Sequence, residues 1–195
     1  PDFQRAGFIT FSNGERSFFK STNFDLNSSA AAQIAQDKDF CAKFLRLAGL
    51  RCPDGVVTFA PKCIAKWQAK NPHVAQSLDP FAAAEQASHE WGYPLFVKPN
   101  EGAEGEGVRL VRNDAEMRAH LEHLYGEHDR VLIQKPIEGD DYRLVVLEGA
   151  VMLGYQRMAL SVVGTGQQTI GELLSQRAQH LSAEGRRAIA SPEDP

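Results

Sequence analysis

The chain has 195 residues, of which 43% are hydrophobic and 24% charged, with a formal net charge of −4. That is long enough to bury a real core, as one domain or two small lobes. The acidic balance argues against a general nucleic-acid binder, no apolar run is long enough to span a bilayer, and no signal peptide is visible.

Phe8 to Ser12, Asn13-Gly14 and Arg16 to Phe19 read as a β-hairpin, with Asn-Gly as a two-residue turn. Residues 23–29 are polar and read as a loop. Asp37 can cap a helix to Ala48, with Phe40, Phe44 and Leu47 on one face and Gly49 as its stop. Pro53-Asp54-Gly55 reads as a turn before a strand from Val56 to Phe59. Residues 61–80 carry three prolines, show no clear period and read as irregular. Cys41, Cys52 and Cys63 lack any C-x-x-C spacing and read as buried free thiols of a reducing, cytoplasmic setting.

Ala82 to Trp91 is alanine-rich and predicts a helix stopped by Gly92 and Pro94. The run Leu95-Phe-Val-Lys98-Pro-Asn-Glu-Gly102-Ala-Glu-Gly105-Glu-Gly107-Val108-Arg-Leu-Val111 follows. It reads as a strand ending in lysine, a three-glycine loop and a second strand. Its glycines are spaced G-x-x-G-x-G and a strand follows them, which is not the dinucleotide pattern. No Gly-Lys-Ser/Thr is present, so it is not a P-loop. Kinase lysines follow their glycine loop, whereas Lys98 precedes this one. A strand–loop–strand flap over a polyphosphate remains, and so does a glycine-rich hairpin with no ligand.

Asn113 can cap a helix to Leu124, with Glu116 at the box position and Met117, Leu121 and Leu124 facing inward. His120, His123 and His128 stand among Glu116, Glu122 and Glu127, which reads as a solvated polar face rather than a metal site. Val131 to Gln134 predicts a strand broken by Pro136, where backbone N–H and C=O groups are free to face a planar base. Gly139-Asp-Asp141 reads as a turn, and Tyr142 to Leu147 with Val151 to Leu160 as a long hairpin about Gly149. Arg143 and Arg157 lie on its opposite limbs. Thr169 to Gln179 predicts a last helix before a polar tail. Helices mixed with hairpins suggest an α+β fold of two lobes rather than one parallel sheet.

Several of these segments together resemble the ATP-grasp superfamily, most closely the ATP-grasp domains of cyanophycin synthetases and bifunctional glutathione synthetases. The likeness is carried by Ile34-Ala-Gln-Asp37-Lys38, Ala48-Gly49-Leu-Arg-Cys-Pro53 and Tyr93-Pro-Leu-Phe-Val-Lys98-Pro99 with its loop. It continues through Val131-Leu-Ile-Gln-Lys-Pro-Ile-Glu-Gly139-Asp-Asp141-Tyr142-Arg143, then Arg157 to Gly166 and Thr169-Ile-Gly-Glu-Leu-Leu174.

The resemblance implies two α+β lobes with a nucleotide cleft between them. It divides the chain into an N-terminal hairpin (1–30), an ATP-binding lobe with its flap (31–133), the start of a catalytic lobe (134–180) and a tail (181–195). Lys38 and Lys98 would hold the α and β phosphates, and Gly102, Gly105 and Gly107 would shape the flap over them. Gln134, Lys135 and Ile137 would frame the adenine, and Asp141 would take the ribose. Arg143 and Arg157 would face the γ-phosphate and an activated carboxylate. Asp37 reads as a helix cap rather than a ligand.

The implied activity is ATP-dependent carboxylate–amine ligation through an acyl phosphate, on an amino acid or peptide substrate. Homo-oligomers are compatible with it. Members usually carry Glu where Gln134 stands, but an amide oxygen can also accept from an adenine amino group. Glu101, Glu104 and Glu106 would repel polyphosphate unless they point outward or magnesium screens them. Magnesium is expected as a cofactor, yet its usual ligands, a strand carboxylate and then Glu-x-Asn, do not follow the last helix. The domain that usually precedes the ATP site is also not found. The chain therefore reads as part of such an enzyme, with a non-catalytic ATP-binding module as the alternative.

Overall fold

The computed structural model describes residues 5–20, 23–75, 78–103, 105–158 and 161–183. The chain divides into two compact units, Pro1–Pro136 and Ile137–Pro195.

The first unit opens with β1 (Ala6–Thr10), β2 (Arg16–Lys20) and β3 (Asn23–Phe24), an antiparallel sheet in that order. The β1–β2 turn is longer in sequence than the Asn-Gly motif predicts. The Phe11 amide donates to the Glu15 carbonyl at 2.9 Å and the Gly14 amide to Phe11 at 3.0 Å. Gly14 takes the left-handed conformation while Asn13 does not. The result is a three-residue loop with a left-handed glycine, not a two-residue turn. Residues 23–29, expected as a loop, contribute β3 and the Ser28 cap of the next helix.

Helix α1 (Ser29–Gln36) runs into α2 (Lys38–Leu47) through Asp37, whose carboxylate accepts from the Phe40 amide at 2.9 Å. Ala48 and a left-handed Gly49 close α2, as its sequence predicts. Phe44 and Leu47 are exposed. Next come β4 (Gly55–Phe59), α3 (Pro61–Lys70) and α4 (Pro72–Ala75). The helix α3 corrects the irregular reading of residues 61–80. Pro61 occupies the first turn, where its missing N–H costs nothing, so the proline starts the helix.

Helix α5 (Ala82–Trp91), β5 (Leu95–Pro99), β6 (Arg109–Val111), α6 (Asp114–Glu127) and β7 (Arg130–Gln134) complete this unit. Its main sheet is antiparallel throughout, in the order β4-β7-β5-β6. Asn113 accepts from the Glu116 amide at 2.9 Å, and Glu116 accepts in return from the Arg112 amide at 2.9 Å. This reciprocal cap starts α6 at the expected residue.

Leu95 and Val97 of β5, Val111 of β6, and Val131 and Ile133 of β7 form the buried core with Ala84 and Ala87 of α5 and Met117, Leu121, Leu124 and Tyr125 of α6. Each fully buried leucine or isoleucine contributes about 1.5–3 kcal/mol. Because strand residues alternate in direction, Phe96 and Lys98 leave the helix-covered face of the sheet. Of the cysteines only Cys63 is buried; Cys41 and Cys52 are half-buried, and all three are free thiols.

The second unit contains β8 (Asp141–Leu147), β9 (Ala150–Arg157) and α7 (Ile170–Ala183). Glu148 and Gly149, both at positive φ, make the two-residue turn between β8 and β9. Here the sheet is two-stranded and exposed along its whole length. Ala159, Leu160 and the tail from residue 184 onward lie outside the described residues. No described helix is long and apolar enough to cross a membrane.

Candidate functional site

Lys98 stands near the end of β5, on the face of the sheet opposite α5 and α6. Gln134 of β7 lies on that same face, because Phe96 pairs with Gln134 and Lys98 with Leu132. Lys98 Nζ donates to Gln134 Oε1 at 2.6 Å. Burial pushes the Lys98 ammonium below the usual lysine range, and the like charge of Lys38 adds to the effect. No described carboxylate forms an ion pair with Lys98; its hydrogen-bond partner is neutral.

Lys38 occupies the first position of α2, the end of a helix that disfavours a cation. Its side chain reaches across to the loop after β5. Nζ donates to the carbonyls of Pro99 at 3.2 Å, Asn100 at 3.3 Å and Gly102 at 3.1 Å. Three donors thus meet three oxygens. Burial lowers its pKa, while the charges of Glu101 and Asp37 oppose that shift.

Asn100 ties the same corner together and was not among the residues singled out by sequence. It is fully buried, and its Oδ1 accepts from the Asp39 amide at 3.1 Å. Its backbone carbonyl also accepts from the Lys38 amide at 3.1 Å. Asn100 Nδ2 has no acceptor in hydrogen-bonding geometry. The sequence signal was available: Asn100 sits two residues after Lys98, where the strand meets the loop.

The three loop glycines have different jobs. Gly102 (φ +113) and Gly105 (φ +81) face open space. Gly107 (φ +68) does not: a Cβ there would lie 3.0 Å from Leu124 Cδ2 and 3.0 Å from Pro99 Cγ. Gly107 is therefore required by packing as well as by φ. Its carbonyl lies 3.0 Å from His120 Nε2. His120 is buried, which corrects the expectation of a solvated histidine face. Burial pushes its pKa down, helped by Arg109 and His123 and opposed by backbone contacts to Gly107 and Val97. Glu101 and Glu106 are exposed, and Glu104 lies outside the described residues.

Asp37 is a helix cap, as expected, and also the ion-pair partner of Arg130 at the start of β7. Arg130 reaches Asp39 as well, at 3.4 Å, and lies over the Phe40 ring. Burial pushes the Asp37 carboxyl up. The Phe40 amide, Asn100 and Arg130 together outweigh burial and hold it below the ordinary aspartate value.

The break after β7 is less open than the sequence suggests. The Lys135 amide donates to the Asp54 carbonyl at 2.9 Å, so this N–H is not free to face a base. The Lys135 side chain is exposed.

Ile137, Asp141, Arg143 and Arg157 belong to the second unit. Ile137 is exposed. Asp141 pairs across the ladder with Arg157, and Arg143 with Tyr155. By two-residue periodicity Asp141, Arg143 and Arg157 share one face of the hairpin. Arg157 Nη2 donates to Asp141 Oδ2 at 2.5 Å, with both side chains about half exposed to solvent.

A family model described as D-ala D-ala ligase C-terminus matches residues 64–163, just over half of the chain. Cyanophycin synthetase of Trichormus variabilis is 25% identical over 158 residues, covering 80% of this chain and 15% of that protein. D-alanine–D-alanine ligase A of Bacillus cereus is 30% identical over 119 residues, covering 61% of this chain and 33% of that protein. The chain therefore spans a minor part of the length of these relatives. Among solved structures, D-alanine–D-alanine ligase of Bacillus anthracis complexed with ATP superposes with a TM-score of 0.50 at 25% identity. That superposition covers 67% of this chain and 38% of the ligase. The matched family segment contains Lys98, the glycine loop, Gln134, Asp141, Arg143 and Arg157, while Lys38 precedes it. By this match and by its antiparallel α+β architecture, the chain belongs to the D-ala D-ala ligase C-terminus family and has the ATP-grasp fold.

Proposed function

We propose that this chain binds ATP at the β5 lysine and glycine loop, as part of a ligase that joins a carboxylate to an amine. The observation that carries the reading is the state of the two lysines. Both lysines are partly desolvated; Lys38 lowers the tendency of Lys98 to hold its proton and is itself held by neutral carbonyls, and Lys98 has no described anionic partner. A polyphosphate would supply the missing negative charge in a site of reduced dielectric, where charge-assisted hydrogen bonds are strongest. The residues present therefore fit the phosphates of ATP.

Lys98 and Lys38 would hold the α and β phosphates, Lys38 by exchanging one of its loop carbonyls for a phosphate oxygen, with Gly102 and Gly105 giving the backbone room to approach. Gln134 Oε1 would accept from the adenine amino group, and the Lys135 carbonyl and Ile137 would frame the ring. Asp141 would accept from the ribose hydroxyls. Arg143 and Arg157 would steady the γ-phosphate and the carboxylate it activates, once Arg157 exchanges Asp141 for the stronger anion. ATP would supply the phosphoryl group that makes the carboxylate an acyl phosphate, open to attack by an amine. An amino acid or a peptide is the substrate class that the relatives' names support.

Magnesium at such a site is held largely by the nucleotide's phosphates, with one or two carboxylates completing its shell. No group of three or more His, Cys, Asp or Glu side chains able to hold a metal gathers among the described residues.

Calorimetry tests the nucleotide reading. Lys98→Ala should weaken ATP binding by at least about tenfold, the scale of a charge-assisted hydrogen bond. Unchanged affinity in both Lys98→Ala and Arg157→Ala would sink the assignment. Ligation is tested separately, by phosphate release from Mg-ATP that depends on a particular amino acid and is lost in Lys98→Ala. Binding without any such release would leave this chain a nucleotide-binding module.

A further inference from the structure

The glycine loop is tied down at both ends by residues from two different helices. At its leading end, Lys38 of α2 donates to the carbonyls of Pro99, Asn100 and Gly102. At its trailing end, His120 of α6 meets the Gly107 carbonyl at 3.0 Å. His120 and Leu124 are one helical turn apart, and both address Gly107. One makes the polar contact; the other packs where a Cβ would otherwise stand. Between the two anchors, Gly102 and Gly105 face open space and the Val108 amide closes a turn onto Gly105 at 3.1 Å.

A carbonyl can only accept, so holding Gly107 requires the His120 ring to carry a hydrogen on Nε2. We propose that His120 is a positioning residue for the glycine loop: its Nε2–H fixes the Gly107 carbonyl, and with Lys38 it presets both ends of the loop before any ligand arrives. The benefit is preorganisation. A loop with fixed ends loses less conformational freedom on binding than one that must order along its whole length. A histidine packed only as core filling would meet the same burial but would not need this tautomer or this partner. The functional part of the proposal, though not the anchor itself, rests on the nucleotide reading above.

Three measurements on the full chain decide it. Nitrogen-15 NMR of the ligand-free protein near pH 7.5 should show His120 as the neutral Nε2–H tautomer; the Nδ1–H tautomer overturns the anchor. Hydrogen exchange should then compare His120→Leu with His120→Gln, whose amide can still donate. Amides of residues 105–108 should exchange about fivefold or more faster in His120→Leu, the effect of losing one hydrogen bond. His120→Gln should retain most of the protection. Equal loop exchange in the parent chain and His120→Leu overturns the proposal, as does a glutamine variant that loses as much protection as the leucine one. If His120→Leu does not fold, the tautomer and the glutamine variant still decide the matter.

Calorimetry separates this idea from the nucleotide reading. ATP affinity should fall about fivefold in His120→Leu and recover in His120→Gln. Binding that depends on Lys98 but ignores His120 overturns preorganisation alone. Loss of loop protection in a chain that binds no ATP upholds the anchor and overturns the nucleotide role.

Discussion

Two aspartate–arginine pairs show how differently the two units use the same chemistry. Asp37 and Arg130 meet where side-chain exposure is 8% and 22%; Asp141 and Arg157 meet where it is 53% and 51%. The first pair also caps α2, lies beside Asn100 and supports Phe40. Removing Arg130 would strand the desolvated Asp37 carboxylate, and removing Asp37 would leave Arg130 only its 3.4 Å contact to Asp39. The second pair is solvated on an exposed two-stranded hairpin, so water can replace either partner. In the Asp37–Arg130 pair charge is part of the scaffold, whereas in the Asp141–Arg157 pair it is solvated and exchangeable with water.

The sharpest way to break this comparison is to delete both carboxylates. Asp37→Ala should cost about 2–3 kcal/mol, from a lost helix cap and a partly desolvated arginine left with only its longer contact to Asp39. Asp141→Ala should cost no more than about 0.5 kcal/mol. Equal losses in denaturant titrations would show that the two pairs are not different in kind.

Two glycines extend the contrast. Gly107→Ala should destabilise by about 2–3 kcal/mol, because positive φ and overpacking act together. Gly149 shares the positive φ (+81) but has nothing within 4 Å. Its alanine variant should lose about 1 kcal/mol, from backbone conformation alone. Thermal melts that rank Gly149→Ala as the worse change would contradict the packed loop hinge.

Acid should reveal two steps of decreasing pH in the first unit. His120 has a folded pKa below its unfolded value, so the unfolded chain binds more protons between the two. Its contribution is present above about pH 6.5 and falls away as pH drops through that range. Asp37 is also depressed, so its contribution persists until about pH 4 and is lost as pH falls through the folded pKa. His120→Gln should remove the upper step, about 1 kcal/mol or less, and leave the lower. A pH-stability curve with the upper step intact in that variant would assign it elsewhere.

Much of the local structure was legible because its causes are local. Asn113 and Glu116 lie three residues apart and announce α6; Asp37 announces α2; the alanine run and Gly92 delimit α5. The failures are equally physical. Proline reads as a breaker until the N1 position of α3 makes it a starter, and Asn13-Gly14 reads as a two-residue turn until Phe11 and Glu15 pair outside it. The histidines of α6 lie among glutamates, so their composition points to solvent. Only the packing of α6 against the loop puts His120 inside.

By itself the sequence determined the helices α2, α5 and α6, the strands around the glycine loop with its leading lysine, and the family, because capping, turn chemistry and motif spacing act within a few residues. Tertiary structure alone decided which glycine gives clearance and which fills a gap. It also decided that Lys38 spends its donors on carbonyls 61 to 64 residues away and that Asp37 pairs with an arginine 93 residues later. Those contacts depend on which sheet face and helix turn come together, and no short-range pattern encodes that meeting.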